Sequence, residues 1–279
     1  MIEIKNLDFS YKKTPVFSNI DLSFPQGAIY GLLGENGVGK TTLLKIICGL
    51  QRPCKGTCTV DGKTSHDRLP EMLQRIVFLP DEERTFSEGS GMATPQKYVD
   101  ELAPFYPTFS QGTFLHLMQE LEVEPERKFR EMSFGQQKKS LIAACLSLGT
   151  DYVLLDEPTN GLDIPSKSQF RSILSKIADE GKTIIISTHQ VKDVENLIDP
   201  IVILSHNAVL LDASVQKITE KLYFEYGGEA REDALYSELL PGGYMNVVPN
   251  TTGEESQLNI EALFNAVLRN KNRINELFK

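Results

Sequence analysis

Apolar and polar residues alternate over Met1-Ile2-Glu3-Ile4-Lys5, the period of a half-buried strand. Two or three strands are expected before residue 30. Asp8-Phe9-Ser10-Tyr11 closes the first, Lys12-Lys13-Thr14-Pro15 is a turn, and Val16-Phe17, Ile20, Leu22 and Phe24 fit a second. Gly27 leads into the continuous apolar run Ala28-Ile29-Tyr30-Gly31-Leu32-Leu33, the pattern of a strand buried on both faces. From Thr42 to Cys48 the period changes to three and four, a helix with Gly49 as its cap. Residues 55–62 make a strand ending in the turn Asp61-Gly62, and residues 74–79 a short strand stopped by Pro80. Residues 82–150 are helical in pattern, punctuated by prolines at 95, 104, 107 and 125. Strands at 152–155 and 183–187 then alternate with helices at 165–180 and 190–198, followed by a hairpin of 201–204 and 208–211 across Ser205-His206-Asn207. Beyond residue 215 the signal weakens. Gly227-Gly228, Gly242-Gly243 and a polar stretch at 249–257 separate short elements, and an amphipathic helix follows at 258–269 (Leu258, Ile260, Leu263, Phe264, Val267, Leu268).

This alternation predicts an α/β fold: a mostly parallel sheet that binds its ligand at the strand C-terminal ends, an antiparallel β start, and a helical insertion. The 279 residues suit one large or two modest domains, and 41% hydrophobic residues can fill a sizeable core. The formal net charge of −9 argues against a broad nucleic-acid footprint, which needs a basic surface. No apolar run reaches the roughly 20 residues of a membrane span, and the first residues lack signal-peptide character. A soluble chain in the cytoplasm is expected. Cys54 and Cys58 flank Lys55-Gly56-Thr57 with His66 near, but no second cysteine pair completes a zinc set, and reduced thiols are expected.

The candidate chemistry begins at Gly34-Glu35-Asn36-Gly37-Val38-Gly39-Lys40-Thr41, a full G-x-x-x-x-G-K-[ST] phosphate-binding loop between a strand and a helix. Its glycines let backbone N–H groups converge on phosphate oxygens. Lys40 adds positive charge near the terminal phosphates, Thr41 offers a hydroxyl to Mg²⁺, and the helix presents its positive end. A second cluster, Tyr152-Val153-Leu154-Leu155-Asp156-Glu157, is an apolar strand ending in two carboxylates. Asp156 can hold Mg²⁺ directly or through water, and Glu157 can polarise an attacking water as a general base.

Three further stretches keep a specific order and spacing: Met132-Ser133-Phe134-Gly135-Gln136-Gln137, Pro158-Thr159-Asn160-Gly161-Leu162-Asp163, and Ser187-Thr188-His189. With the phosphate loop they resemble the nucleotide-binding subunits of ABC transporters over roughly residues 2–215, with residues 216–279 left as a small C-terminal extension. On that resemblance, Gly34 to Thr42 is the Walker A loop, and Asp156 with Glu157 is Walker B plus the catalytic carboxylate. Ser133, Gly135 and Gln136 match the signature motif, Asp163 the D-loop, and His189 the switch histidine that senses the γ-phosphate. Tyr11 sits where the family stacks an aromatic on adenine. Two departures stand out. Met132 and Phe134 replace the first Leu and first Gly of Leu-Ser-Gly-Gly-Gln. At the Q-loop, where the family has a Gln that touches Mg²⁺ or its water and couples to the membrane partner, this chain has Asp81, a carboxylate that can still serve the metal, followed by Glu82 and Glu83.

The resemblance implies two ATPase units packed head to tail, the second a copy of this chain or a paralogue. Two ATP would lie between them, each held by Lys40, Thr41 and the loop of one chain and by Ser133 and Gly135 of the other. Glu157 would activate water, and His189 and Lys40 would stabilise the transferred phosphoryl group. It implies separate membrane-spanning permease subunits and a location on the inner face of the cell membrane. The short helical insertion, the Ser-Phe-Gly-Gln signature and the tail helix are most similar to ATPases of ABC-2-type exporters. Two alternatives stay open: a soluble ABC-type ATPase acting on ribosomes or DNA, and a regulatory nucleotide switch with little turnover.

Overall fold

The structure is a computed structural model that describes residues 1–81, 93–178 and 180–278. Strands β1 (Ile2–Tyr11), β2 (Thr14–Phe24) and β3 (Ile29–Leu33) precede helix α1 (Lys40–Ile47). Strands β4 (Lys55–Val60) and β5 (Lys63–Thr64), the short helix α2 (Pro70–Leu73) and strand β6 (Ile76–Leu79) follow. Helices α3 (Pro95–Leu102), α4 (Gln111–Glu120) and α5 (Phe134–Ser147) form the insertion; the part of it predicted over residues 82–92, including Glu82 and Glu83, lies outside the described residues. The core resumes with β7 (Tyr152–Asp156), α6 (Ile164–Ala178), β8 (Thr183–Thr188), β9 (Ile201–Ser205) and β10 (Ala208–Ala213). The chain ends with α7 (Val215–Lys221), β11 (Leu222–Gly227), β12 (Tyr236–Leu240), β13 (Gly243–Pro249), α8 (Ile260–Arg269) and α9 (Lys271–Phe278).

The central sheet has the order β10-β9-β3-β8-β7-β6, parallel throughout except for the antiparallel edge strand β10. Strands β3, β7 and β8 are buried along their whole length, as their unbroken apolar runs predict. Side chains alternate between two apolar clusters. Ile29 and Leu33 of β3, Val153 and Leu155 of β7, and Ile184 and Ile186 of β8 face the helical insertion and the C-terminal segment. Tyr30 and Leu32, Tyr152 and Leu154, and Ile185 face α1 and the antiparallel sheet β2-β1-β4-β5. Each fully buried Leu or Ile contributes about 1.5–3 kcal/mol.

Turn chemistry sets the connections. Asp61 and Gly62 both have positive φ (50° and 76°), as a two-residue hairpin between β4 and β5 requires. Helix α1 ends with the Leu50 amide donating to the Lys45 carbonyl (2.8 Å) and the Gly49 amide to that of Ile46 (3.1 Å), a Schellman cap with Gly49 at φ +74°. A Cβ at Gly49 would lie 2.2 Å from the Ser65 carbonyl oxygen. Gly49→Ala is therefore expected to lower the unfolding free energy by about 2 kcal/mol or more. It would be read as a lower urea midpoint at constant slope; an unchanged midpoint would contradict it.

Two expectations are corrected. Residues 190–198 are not a helix. One short 3-10 turn at Val191–Asp193 gives way to successive turns closed by three-residue bonds, such as the Leu197 amide to the Val194 carbonyl. Asp193, Asn196 and Asp199 are weak helix formers, and Pro200 turns the chain out of helical geometry as it enters β9. The segment after residue 215 holds a three-stranded antiparallel sheet, β11-β13-β12, where only short elements and one helix were expected. Gly242-Gly243 does not separate elements of different kinds: Pro241-Gly242 is the turn between two strands, with Leu240 paired to Gly243. Ile218, Leu222, Phe224, Val247, Leu263, Val267 and Ile274 of this segment belong to the same apolar cluster as Ile201 and Ile203 of β9. Among the described residues no helix is long and apolar enough to cross a membrane.

Candidate functional site

Strand register assembles the site. Leu33 at the end of β3 pairs with Thr188 at the end of β8, and Asp156 at the end of β7 with Ser187. Leu79 of β6 pairs with Leu155, which carries Asp81 to the level of Glu157. The phosphate loop, both carboxylates and His189 therefore emerge at one edge of the sheet, the C-terminal ends where α/β folds bind ligands.

The loop between β3 and α1 has a buried Gly34, exposed Glu35, Asn36 and Gly37, and a buried Val38. Gly37 and Gly39 have positive φ (84° and 108°). A Cβ on Gly39 would fall 2.6 Å from Val16 and 2.8 Å from Phe17, so only glycine fits where the loop turns into α1. The Lys40 ammonium folds back over the loop, donating to the carbonyls of Gly34 (2.8 Å) and Glu35 (3.2 Å), and lies 3.6 Å from the Glu157 carboxylate. Burial lowers its pKa, a tendency opposed by Glu157 and Asp156.

Asp156 is buried at the end of β7. It accepts from the Thr41 hydroxyl (2.6 Å) and from the Ser187 hydroxyl. Burial raises its pKa; the bonds from Ser187 and Thr41 pull it down, and the neighbouring Glu157 and Asp81 push it up. Glu157 is held with φ at +44°, an uncommon backbone for a side chain of its size. Its carboxylate accepts from the Thr188 hydroxyl (2.9 Å) and the His189 amide (3.1 Å), and lies 2.7 Å from the His189 Nδ1. A paired hydroxyl and carboxylate (Thr41, Asp156) is an all-oxygen donor set of the kind hard divalent cations take. The buried Lys40 and the amides around it suit phosphate oxygens.

Tyr11 ends β1 half exposed, edge-on to Phe9 at 4.9 Å, and its hydroxyl accepts from Thr42 at 3.3 Å. Ser133, Gly135, Gln136 and Asp163 make a separate group within the chain. Ser133 and Gln136 form a reciprocal capping box at the start of α5 (3.2 and 3.0 Å). Gly135 packs over Gly161, whose carbonyl oxygen lies 2.9 Å from where a Cβ would stand. Asp163 accepts from the Ser166 amide (2.9 Å) and caps α6. Asp81 has both oxygens on protein donors: Lys138 Nζ on one and Asn160 Nδ2 on the other, each 3.1 Å away. Lys138, Asn160, Gln190 and Thr188 were not singled out from the sequence. Asn160 and Thr188 stood inside quoted motifs, but nothing local marks Lys138.

Three comparisons show what the chain is similar to. Residues 17–160 match the family model described as ABC transporter. An ABC transporter ATP-binding protein of Methanocaldococcus jannaschii is 32% identical over 228 residues, covering 81% of this chain and 82% of its own length. The bacitracin transport ATP-binding protein BcrA of Enterococcus faecalis is 30% identical over 249 residues, covering 88% of this chain and 79% of its own. Among solved structures, a dimeric ATP-binding cassette in a post-hydrolysis state with ADP and Pi superposes with a TM-score of 0.68 at 24% identity, covering 77% of this chain and 99% of that one.

Proposed function

This chain belongs to the ATP-binding proteins of ABC transporters, and we propose that it hydrolyses ATP at the strand ends to drive separate membrane-spanning subunits, as part of an exporter. The observation that carries the reading is the Glu157 carboxylate, suspended between Lys40, Thr188 and His189 at the mouth of the phosphate loop. The loop amides and Lys40 would take the ATP phosphates, with Lys40 exchanging the Gly34 and Glu35 carbonyls for phosphate oxygens. Thr41 and Asp156 would hold Mg²⁺, which supplies charge neutralisation when bound. Glu157 takes the proton of the attacking water, and His189 fixes the orientation of that carboxylate. Tyr11 would support the adenine.

Ser133 and Gly135 lie on a group of their own at the N-terminus of α5, an end polarised for anions. In a head-to-tail pair they would complete the site of the second copy. A groove of about 860 Å³ between the core and the insertion, lined by Leu50, Leu73, Phe78, Leu102 and Phe105 among others, is where a permease segment would dock. The bacitracin transport relative supports a transport role, and the exporter direction rests on the likeness of the short insertion and the Ser-Phe-Gly-Gln signature to ABC-2-type ATPases.

The test is MgATP turnover as a function of protein concentration, joined to affinity purification of tagged chain from detergent-solubilised membranes. Specific activity rising with concentration, and recovery of a multi-span protein in stoichiometric amount, are expected. Turnover absent at every concentration, or recovery with ribosomal proteins in the soluble fraction alone, would overturn the reading.

A further inference from the structure

A continuous path of hydrogen bonds leads from the helical insertion to the candidate base. Lys138 Nζ donates to Asp81 Oδ1 (3.1 Å), and Asn160 Nδ2 donates to Asp81 Oδ2 (3.1 Å). Gln190 Nε2 donates to Asn160 Oδ1 (2.9 Å), and the Gln190 amide donates to Thr188 Oγ1 (2.9 Å). The same Thr188 hydroxyl donates to Glu157 Oε2 (2.9 Å). Every donor and acceptor along this path is used in the direction its chemistry allows. Its two ends sit on bodies that must work together: Lys138 lies on α5, whose first turn carries Ser133 and Gly135, and Glu157 follows β7.

Charge explains why the first link is ionic. Asp81 brings a third carboxylate to a site that already holds Asp156 and Glu157. Two buried cations answer them: Lys40 beside Glu157, and Lys138, which is only 5% exposed and has Asp81 as its acid among the described residues. A buried ammonium needs such a partner, and removing either member strands the other. With its oxygens taken by Lys138 and Asn160, Asp81 has an occupation in this chain other than ligating metal.

We propose that Asp81 and Lys138 are positioning residues: their ion pair ties helix α5 to the Glu157 carboxylate through Asn160, Gln190 and Thr188, and sets the orientation from which Glu157 acts. The proposal rests on the ATPase reading above. It gives the acid at the Q-loop position a matching base within this chain.

The experiment is a double-mutant cycle on the full chain with Asp81→Asn, Lys138→Gln and the two combined, read as kcat, KM for ATP and half-saturating Mg²⁺. Each single variant should lose about 10- to 100-fold in kcat, the range for groups that orient a reacting residue, with KM and Mg²⁺ half-saturation within about twofold. The double variant, which replaces a charged pair by an amide pair, should recover beyond either single. A rise of about tenfold or more in half-saturating Mg²⁺ for Asp81→Asn alone would make Asp81 a metal ligand and overturn the proposal. Additive losses, or single variants with wild-type kcat, would also overturn it. Asp81→Glu and Lys138→Arg, which keep the charges, replace any single variant that does not fold. Nucleotide-free unfolding of the same cycle separates the two readings. Non-additive stabilities in a chain that never turns over ATP would retain the pair but sink the ATPase reading and the tie to Glu157 with it. Additive stabilities in an active chain would sink the pair alone.

Discussion

Glu157→Gln abolishes turnover while leaving nucleotide binding in place: a loss of about 100- to 10,000-fold in kcat is expected, the range that a general base supplies. The substitution keeps the volume of the side chain and one oxygen that can still accept from Thr188 or the His189 amide. It removes the capacity to take a proton and the negative charge facing Lys40 at 3.6 Å. Binding is expected to survive because the phosphate-holding groups, Lys40, Thr41 and the loop amides, are on β3 and α1 rather than on β7. ATP should then accumulate on the protein unhydrolysed, and if two copies close over it, a dimer should persist in MgATP on size-exclusion chromatography. Single-turnover kinetics give the chemical step directly. Retention of more than about a tenth of the wild-type rate would refute the role of Glu157 as base.

Lys40→Ala acts at the opposite step. The ammonium is buried against the Gly34 and Glu35 carbonyls, with Glu157 and Asp156 in its field. Removing it takes away the charge that would meet the terminal phosphates and leaves two acids without their nearest buried counter-charge. Two charge-assisted hydrogen bonds at roughly 1.5–3 kcal/mol each correspond to a loss of about 100-fold or more in affinity. Titration with a fluorescent nucleotide or by calorimetry measures it. Normal affinity in this variant would remove the phosphate loop from the site. The two variants thus differ in kind: one binds without turning over, the other does not bind.

The parts of the site that were legible in the sequence are those in which chemistry and local structure share one short stretch. The Gly34–Thr41 loop announces its own strand, turn and helix, and Asp156-Glu157 ends a short apolar run with the pattern of a buried strand. The parts that were not legible join residues far apart in the chain. Asp81 meets Lys138 across 57 positions and Asn160 across 79, and no period or motif links them. Asp81 stands by likeness at a place for metal, and nothing in its local sequence announces the protein donors that reach both its oxygens. The strands β11, β12 and β13 escaped because they are short and rich in polar residues on one face, and their glycines read as breaks between elements rather than as turns within a sheet.

The loop, the carboxylate pair and the histidine are each carried at the tip of a different rod, β3, β7 and β8 respectively, and the ladder Leu33–Thr188 and Ser187–Asp156 keeps the tips level. A strand advances about 3.3 Å per residue and reverses its faces at every step. Side chains along these rods can therefore be exchanged for others of similar size with little effect on the chemistry. Rod length admits no such freedom: one residue more or fewer in any of the three withdraws a reacting group by the width of an atom and turns its neighbours out of the core. The history of this site should accordingly be rich in substitutions and closed to insertions, a constraint set by backbone counting rather than by any one side chain.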